Sequence, residues 1–281
     1  MAAKLGILAG GGPLPGYLIE ACRSSGRDYF VLAFEDQADP SVIGEAPQAW
    51  VRLGAVEEAI GRLRAESCEE LVLAGPVRRP SLADLRPDRR AARFLARGLL
   101  NKGDNGLLGA VVRTLEEEEG FRVVGADTIL ADLRAGAGPF GDHTPSAEDE
   151  ADITRGVQAV HQIGRLDIGQ AVIIRHGVVL GVEAAEGTEA LIDRCGALDP
   201  GGRGGVLVKL PKPSQEKRAD LPAIGPRTVA GAVNAGLAGI AVAAGATLIF
   251  DPARVVADAN DAGLFIVGIK PDDYYADYDI V

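Results

Sequence analysis

Leu5-Gly-Ile-Leu-Ala9, Gly10-Gly-Gly-Pro-Leu-Pro-Gly16 and Tyr17-Leu-Ile-Glu-Ala-Cys22 follow one another near the start of the chain. The first piece is a short apolar run, as expected of a strand buried on both faces. The second is a glycine turn and the third reads as a helix. In that order they begin a doubly wound α/β domain. Gly10, Gly11 and Gly12 let backbone N–H groups approach an anion at the helix N-terminus. A tight turn that binds nothing is the plainer alternative. The dinucleotide fingerprint is not met, because its third glycine, counted from Gly10, falls on Pro15.

Working outward, further strands are expected at Asp28–Glu35, Glu70–Ala74 and Phe121–Ala126. Val56–Arg64 is expected as a helix with Val56, Ile60 and Leu63 on one face. The run Glu70–Ala74 ends at Gly75-Pro76, followed by Arg78 and Arg79. Ligands of α/β sheets bind beyond the carboxyl ends of strands, so this turn is a candidate and the arginines could hold a phosphate. Arg86–Leu100 is basic and helical, and Lys102-Gly-Asp104 breaks it. Leu107–Glu118 resumes as a helix, and the acid run Glu116–Glu119 reads as its solvated end. Asp104 beside Lys102 is a metal or phosphate position, or a simple cap.

Ala135–Ser146 is rich in glycine and proline and reads as a linker. The expected organisation is a Rossmann-like domain over 1–133, a linker over 134–147 and a second α/β domain over 148–281. Ser146 with Asp149 looks like a capping box for the next helix. Gln170–Glu183 reads as two strands joined at His176-Gly177, a hairpin signal. Thr188, after Gly187, is placed to cap the expected helix Glu189–Arg194, either as a second anion site with Glu186 and Glu189 beside it or as a plain N-cap that needs no ligand.

The apolar run Gly205–Leu210 reads as a strand, and Gly225-Pro226 starts another helix. Between them a proline-stiffened loop carries Lys212, Gln215, Glu216, Lys217, Arg218 and Asp220. Both charge signs, aimed at a helix N-terminus, suit a phosphate and a metal ion, and a solvated polar turn is the plainer alternative. Strands at Gly239–Ala243, Thr247–Phe250 and Leu264–Gly268, with a helix over Pro252–Ala259, complete the reading.

The formal net charge of −11 argues against nucleic acid as a bulk partner and against simple electrostatic adhesion to anionic lipid. Cys22, Cys68 and Cys195 are widely spaced, so neither a zinc site nor a disulfide framework is expected, and a cytoplasmic location fits. Neither a signal peptide nor a transmembrane run is expected. Three scattered histidines support no nucleophilic triad.

The pattern Lys212-Pro-x-Gln215-acid-x-Arg218-x-Asp220-x-Pro222-x-Ile224-Gly225-x-x-Thr228 resembles the C-terminal signature of the LpxI family. Gly75-Pro-Val, Gly103-Asp104, Glu186-Gly-Thr188 and Gly263–Gly268 follow the family's order. Glu216 and Glu189 stand where aspartate is usual. The resemblance implies two α/β domains with the active site between them. It implies magnesium-dependent hydrolysis of UDP-2,3-diacylglucosamine to UMP and 2,3-diacylglucosamine 1-phosphate, in lipid A synthesis. It implies transient contact with the inner face of the inner membrane, and it is compatible with a homo-oligomer.

On that reading Lys212 and Arg218 neutralise phosphate charge, and Asp220 directs water or binds magnesium. Glu189 and Asp104 are further metal candidates. Gly10, Gly11, Gly12, Gly75, Pro76, Lys102, Gly187, Thr188, Gln215, Gly225 and Thr228 are expected around the substrate. A nucleotide-linked oxidoreductase and a non-catalytic carrier of lipid or nucleotide-sugar are the alternatives. The first would show nicotinamide turnover, and the second retained ligand without product.

Overall fold

The computed structural model describes residues 2–78, 85–96, 103–198, 202–213 and 215–274. Two compact units are present. One comprises Met1–Ala131 and Glu216–Asp220; the other comprises Asp132–Gln215 and Leu221–Val281. The expected division at 133/134 gave the whole charged loop to the second domain. Here five of its residues group with the first unit.

The first unit runs β1 (Leu5–Ala9), α1 (Leu14–Ser25), β2 (Tyr29–Phe34), α2 (Pro40–Ile43), β3 (Gln48–Val51), α3 (Val56–Ala65) and β4 (Glu70–Ala74). It continues with α4 (Arg89–Leu95), α5 (Asp104–Arg113), β5 (Arg122–Val123) and α6 (Ala126–Ile129). Its five strands are parallel in the order β3-β2-β1-β4-β5. Leu8, Leu32 and Leu71 face one core, closed by Ala59, Ile60 and Leu63 of α3 and Val112 of α5. By alternation Leu5, Ile7 and Ala9 point the other way, and they too are buried. Burial on both sides is why these strands read as unbroken apolar runs. β3 went unread because its Gln48-Ala-Trp-Val51 is only partly covered at the sheet edge.

The helix expected to run unbroken through Glu118 starts at Asp104 and passes into a π-helical turn over Thr114–Glu118. The strand expected over Phe121–Ala126 is only two residues long.

The second unit runs β6 (Gly138–Phe140), α7 (Ala147–Arg165), β7 (Ala171–Arg175), β8 (Val178–Val182), α8 (Gly187–Leu198), β9 (Val206–Lys209) and β10 (Ala223–Ile224). It continues with α9 (Pro226–Asn234), β11 (Gly239–Ala243), β12 (Leu248–Ile249), α10 (Pro252–Ala262) and β13 (Phe265–Ile269). Its main sheet has the order β6-β13-β11-β9-β7-β8, with β13, β11 and β9 parallel. Ile173, Leu207, Ile240 and Ile266 pack with α8, α9 and α10. Their neighbours Val172, Val206, Ala241 and Val267 pack with Ile153, Val157 and Val160 of α7. β6 lies inside the stretch read as a linker. Its Pro139 is tolerated because β6 is an edge strand, paired antiparallel to β13.

The capping box at the start of α7 forms as read, with Ser146 and Asp149 reciprocally bonded. The hairpin at His176-Gly177 also forms, with φ of 49° and 75° at the two turn residues. Positive φ is uncommon for histidine. The turn is held from outside the hairpin. Asp152 of α7 is buried and accepts the N–H of His176 at 2.9 Å and of Gly177 at 2.7 Å. Both donors belong to exposed residues, so water can replace a lost acceptor there, and a typical hydrogen bond contributes about 0.5–1.5 kcal/mol net. Asp152→Ala is therefore expected to destabilise this unit by about 1–3 kcal/mol. Asp152→Asn, which keeps one acceptor oxygen, should lose less. Denaturant unfolding of both variants checks this, and an unchanged midpoint for Asp152→Ala would contradict it.

Candidate active site

In the first unit the glycine turn after β1 lies against the turn after β4. These neighbouring strands mark the point where the strand order reverses, the usual binding crevice of such sheets. Gly10 N–H donates to Ala74 O at 2.8 Å, and Gly11 N–H donates to Pro76 O at 2.8 Å. A Cβ on Gly75, whose φ is 88°, would fall on the carbonyl oxygen of Gly11. A Cβ on Gly10 would come within 2.6 Å of Pro76 O. The glycines thus let two backbones touch. Gly10 and Gly11 already direct their N–H groups to protein carbonyls. Pro13 and Pro15 contribute none at the entry of α1. Arg78 places its backbone N–H 2.8 Å from Gln37 Oε1. Arg79 and Lys102 lie outside the described residues. Asp104 is the first residue of α5, and its side chain is likewise outside the description.

In the second unit the charged loop starts from a buried cation. Lys209, on the last position of β9, is 7% exposed and donates from Nζ to Ala223 O at 2.8 Å. The ammonium therefore links the strand before the loop to the strand after it. In sequence it is one lysine in the apolar run Gly205–Leu210. That placement, a charge inside a buried strand, was the signal. Lys212 Nζ lies 2.6 Å from Asp167 Oδ1, and both side chains are largely covered. Gln215 is buried; its Oε1 accepts the Lys212 N–H at 2.8 Å, and its own N–H donates to Lys212 O at 3.0 Å. Lys212 and Gln215 thus form one closed turn.

Two helix N-termini meet in this unit. α8 begins at Gly187, with φ of 83°, so Thr188 lies within its first turn instead of capping it. The Thr188 hydroxyl donates to Glu183 Oε1 at 2.5 Å, and that buried carboxylate also accepts the Gln170 N–H at 2.9 Å. Glu189 pairs with Arg227 of α9 at 2.9 Å, both well exposed. Gly225 N–H donates to Thr228 Oγ1 at 3.3 Å, at the start of α9. Gly187, Thr188 and Glu189 are thereby brought beside Gly225–Thr228. Their aligned peptide dipoles favour an anion.

The segment Glu216–Asp220 is built into the first unit. Glu216 N–H donates to Asn105 Oδ1 at 2.9 Å. Ala219 packs on the core that holds Leu8 and Leu32. Arg218 gives Nε to Glu216 Oε1 at 2.9 Å, Nη2 to Glu216 Oε2 at 3.0 Å and Nη1 to Glu116 Oε1 at 2.8 Å. Hydrogen bonds from Arg218 hold the Glu216 carboxyl below its usual range, and those from Glu216 first, then Glu116, raise the guanidinium. A depressed carboxyl stabilises the fold fully above the ordinary glutamate range. That contribution fades as pH falls through the lowered value. Asp220 closes the turn, with its N–H donating to Glu216 O at 3.1 Å, and it is exposed. Sequence reasoning set Glu116 aside as a helix end, and nothing local distinguishes it from Glu117 or Glu118. Among the described residues no group of three or more His, Cys, Asp or Glu could hold a metal ion.

The first unit thus presents a carboxylate on a braced turn, and the second, taken by itself, presents a braced lysine and two helix N-termini. Known proteins carry the same arrangement of sequence. Residues 4–133 match the model of the LpxI N-terminal domain, and residues 136–267 match that of the LpxI C-terminal domain. A curated protein of Caulobacter vibrioides, "UDP-2,3-diacylglucosamine pyrophosphatase LpxI", is 41% identical over 278 residues. That alignment covers 96% of this chain and 99% of the relative. The chain belongs to the LpxI family.

Proposed function

We propose that the chain hydrolyses the diphosphate of UDP-2,3-diacylglucosamine, releasing UMP and 2,3-diacylglucosamine 1-phosphate for lipid A synthesis. The observation that carries this is the near full-length identity to a relative named for that reaction. The side chains suit it. Water adds to one phosphorus, the bond from that phosphorus to the bridging oxygen breaks, and the bridging oxygen leaves with the electron pair. The attacking water must lose a proton. Asp220 is a carboxylate on a turn held at Glu216, Arg218 and Ala219, and we assign it that proton or the orientation of that water. Lys212 supplies a positive charge to the phosphate oxygens, and Asp167 fixes where its ammonium stands. The N-termini of α8 and α9 favour negative charge near Gly187, Thr188, Gly225 and Thr228.

Magnesium needs only one or two carboxylates, with water and phosphate oxygens filling its shell. Asp220 meets that requirement as an exposed oxygen donor, and Asp104 is the next candidate. Glu189 would first have to give up Arg227. When bound, the ion would neutralise charge on the phosphate oxygens.

We also assign the lipid side of the substrate to the turn after α7. Asp167 has a φ of 56°, and its neighbours Leu166 and Ile168 are 72% and 45% exposed. Two exposed aliphatic side chains on either side of Asp167 in sequence suit acyl chains or a bilayer surface. No described helix is long and apolar enough to cross a membrane. A Leu166→Ser, Ile168→Ser double variant is expected to lose most binding to phosphatidylethanolamine–phosphatidylglycerol vesicles in a flotation assay. Undiminished flotation would reject this assignment.

Asp220→Ala and Asp220→Asn are expected to keep the melting temperature and to reduce UMP release by about a thousandfold with magnesium present. Near-native turnover in either variant would remove Asp220 from the chemistry. Titration with NAD and NADP is expected to show no saturable binding. The reason is that the N–H groups of Gly10 and Gly11 already serve Ala74 and Pro76. Micromolar affinity for either nucleotide would instead favour an oxidoreductase.

A further inference from the structure

We infer that Glu116 is a positioning residue for the Asp220 turn, and that it acts through Arg218. The inference rests on the reading above, in which Asp220 performs hydrolysis. All three guanidinium nitrogens of Arg218 donate to carboxylates, two to Glu216 and one to Glu116. Two carboxylates against one guanidinium leave a net negative charge, and Arg113, which acts on Glu216, brings the group close to neutral. Such a group attracts a diphosphate poorly. It is well made for holding a loop, because the planar fork fixes direction as well as distance.

The two carboxylates do different work. Glu216 is two residues from Arg218 and shapes the turn from within. Glu116 is 102 positions away and ties the turn to the body of the first unit. Its Oε1 also accepts the N–H of Val123, at 3.2 Å, so the carboxylate is itself fixed against the start of the sheet's edge. Glu116 comes from the π-helical turn Thr114–Glu118, and single π turns inside helices recur at functional sites. The Asn105 contact and the packing of Ala219 locate the rest of the turn. Arg218 is the link next in sequence but one to Asp220.

Side-chain exposure separates this role from a purely structural one. Arg218 is 41% exposed and Glu116 28%. Ion pairs at that exposure contribute little to global stability. Misplacing a reacting group by about 1 Å can cost on the order of a hundredfold in rate. Loss of the link should therefore appear in local order and turnover, and hardly in melting.

The test compares Glu116→Ala, Glu116→Gln and Arg218→Ala in the full chain. The readouts are kcat and KM for the acylated UDP-sugar, melting temperature, and amide hydrogen exchange over residues 216–220. Glu116→Ala is expected to lower kcat about tenfold with KM within about twofold of the parent. Exchange over 216–220 should quicken, with the melting temperature little changed. Glu116→Gln keeps an acceptor oxygen and should recover most of both losses. Adding Glu116→Ala to Arg218→Ala should cost nothing further, because both remove one link. Native kcat and native exchange in Glu116→Ala would overturn the inference. So would Arg218→Ala raising KM at constant kcat, which is the behaviour of a phosphate ligand. If the parent protein releases no UMP, the proposed reaction fails, and exchange in Glu116→Ala alone decides the clamp. Faster exchange then supports it and unchanged exchange rejects it.

Discussion

A parallel strand buried on both faces must carry its chain back across the sheet before the next strand can start. Both units are built on that requirement. In the first, all five strands are parallel, so the turns after β1 and β4 leave the same edge side by side. Only glycine allows them to touch as closely as Gly10, Gly11 and Gly75 do. In the second, the parallel strands β9, β11 and β13 take the centre, and antiparallel β6 and β7 pair with the outer two of them. The charged loop leaves the carboxyl end of β9, where such sheets place ligands.

Charge then decides how that loop is held. A lysine ammonium inside a sheet is costly unless an acceptor meets it. Lys209 meets one on Ala223, across the loop's two ends. Beyond it, Lys212 and Arg218, the cations this loop would offer to a phosphate, and Glu189, a metal candidate, already have protein partners. Lys212 has Asp167, Arg218 has Glu216 and Glu116, and Glu189 has Arg227. Partners of this kind fix a side chain before substrate arrives, which lowers the reorganisation needed for reaction. They also weaken the net attraction for an anion. The balance differs by residue: Lys212 has one carboxylate beside it, whereas Arg218 has two.

The division of the chain follows from the same contacts. Glu216–Asp220 belongs with the first unit, although Gln215 before it and Leu221 after it belong with the second. The backbone bond to Asn105, the link to Glu116 and the burial of Ala219 all come from residues more than 90 positions earlier. A boundary read from composition could not have found this. Glycine and proline mark where a chain turns, and they say nothing of which body a turn rests on.

Local chemistry was legible wherever its determinants lie within a few residues. Apolar runs gave β1, β2, β4, β9, β11 and β13. The Ser146–Asp149 box, the prolines at 226 and 252 and the His176-Gly177 pair gave helix starts and a hairpin turn. The spaced motif from Lys212 to Thr228 carried the family, because its residue order survives without any knowledge of contacts. What the sequence left open is what depends on distance through space. It could not separate Glu116 from its acidic neighbours, mark Lys209 as buried, or show that Asp152 holds a turn 24 positions away. Hydrogen-bond periods and capping act over three or four residues, and so they are written in the order of the chain. Ion-pair partners and burial are set by which elements pack together, and only the tertiary structure decides that.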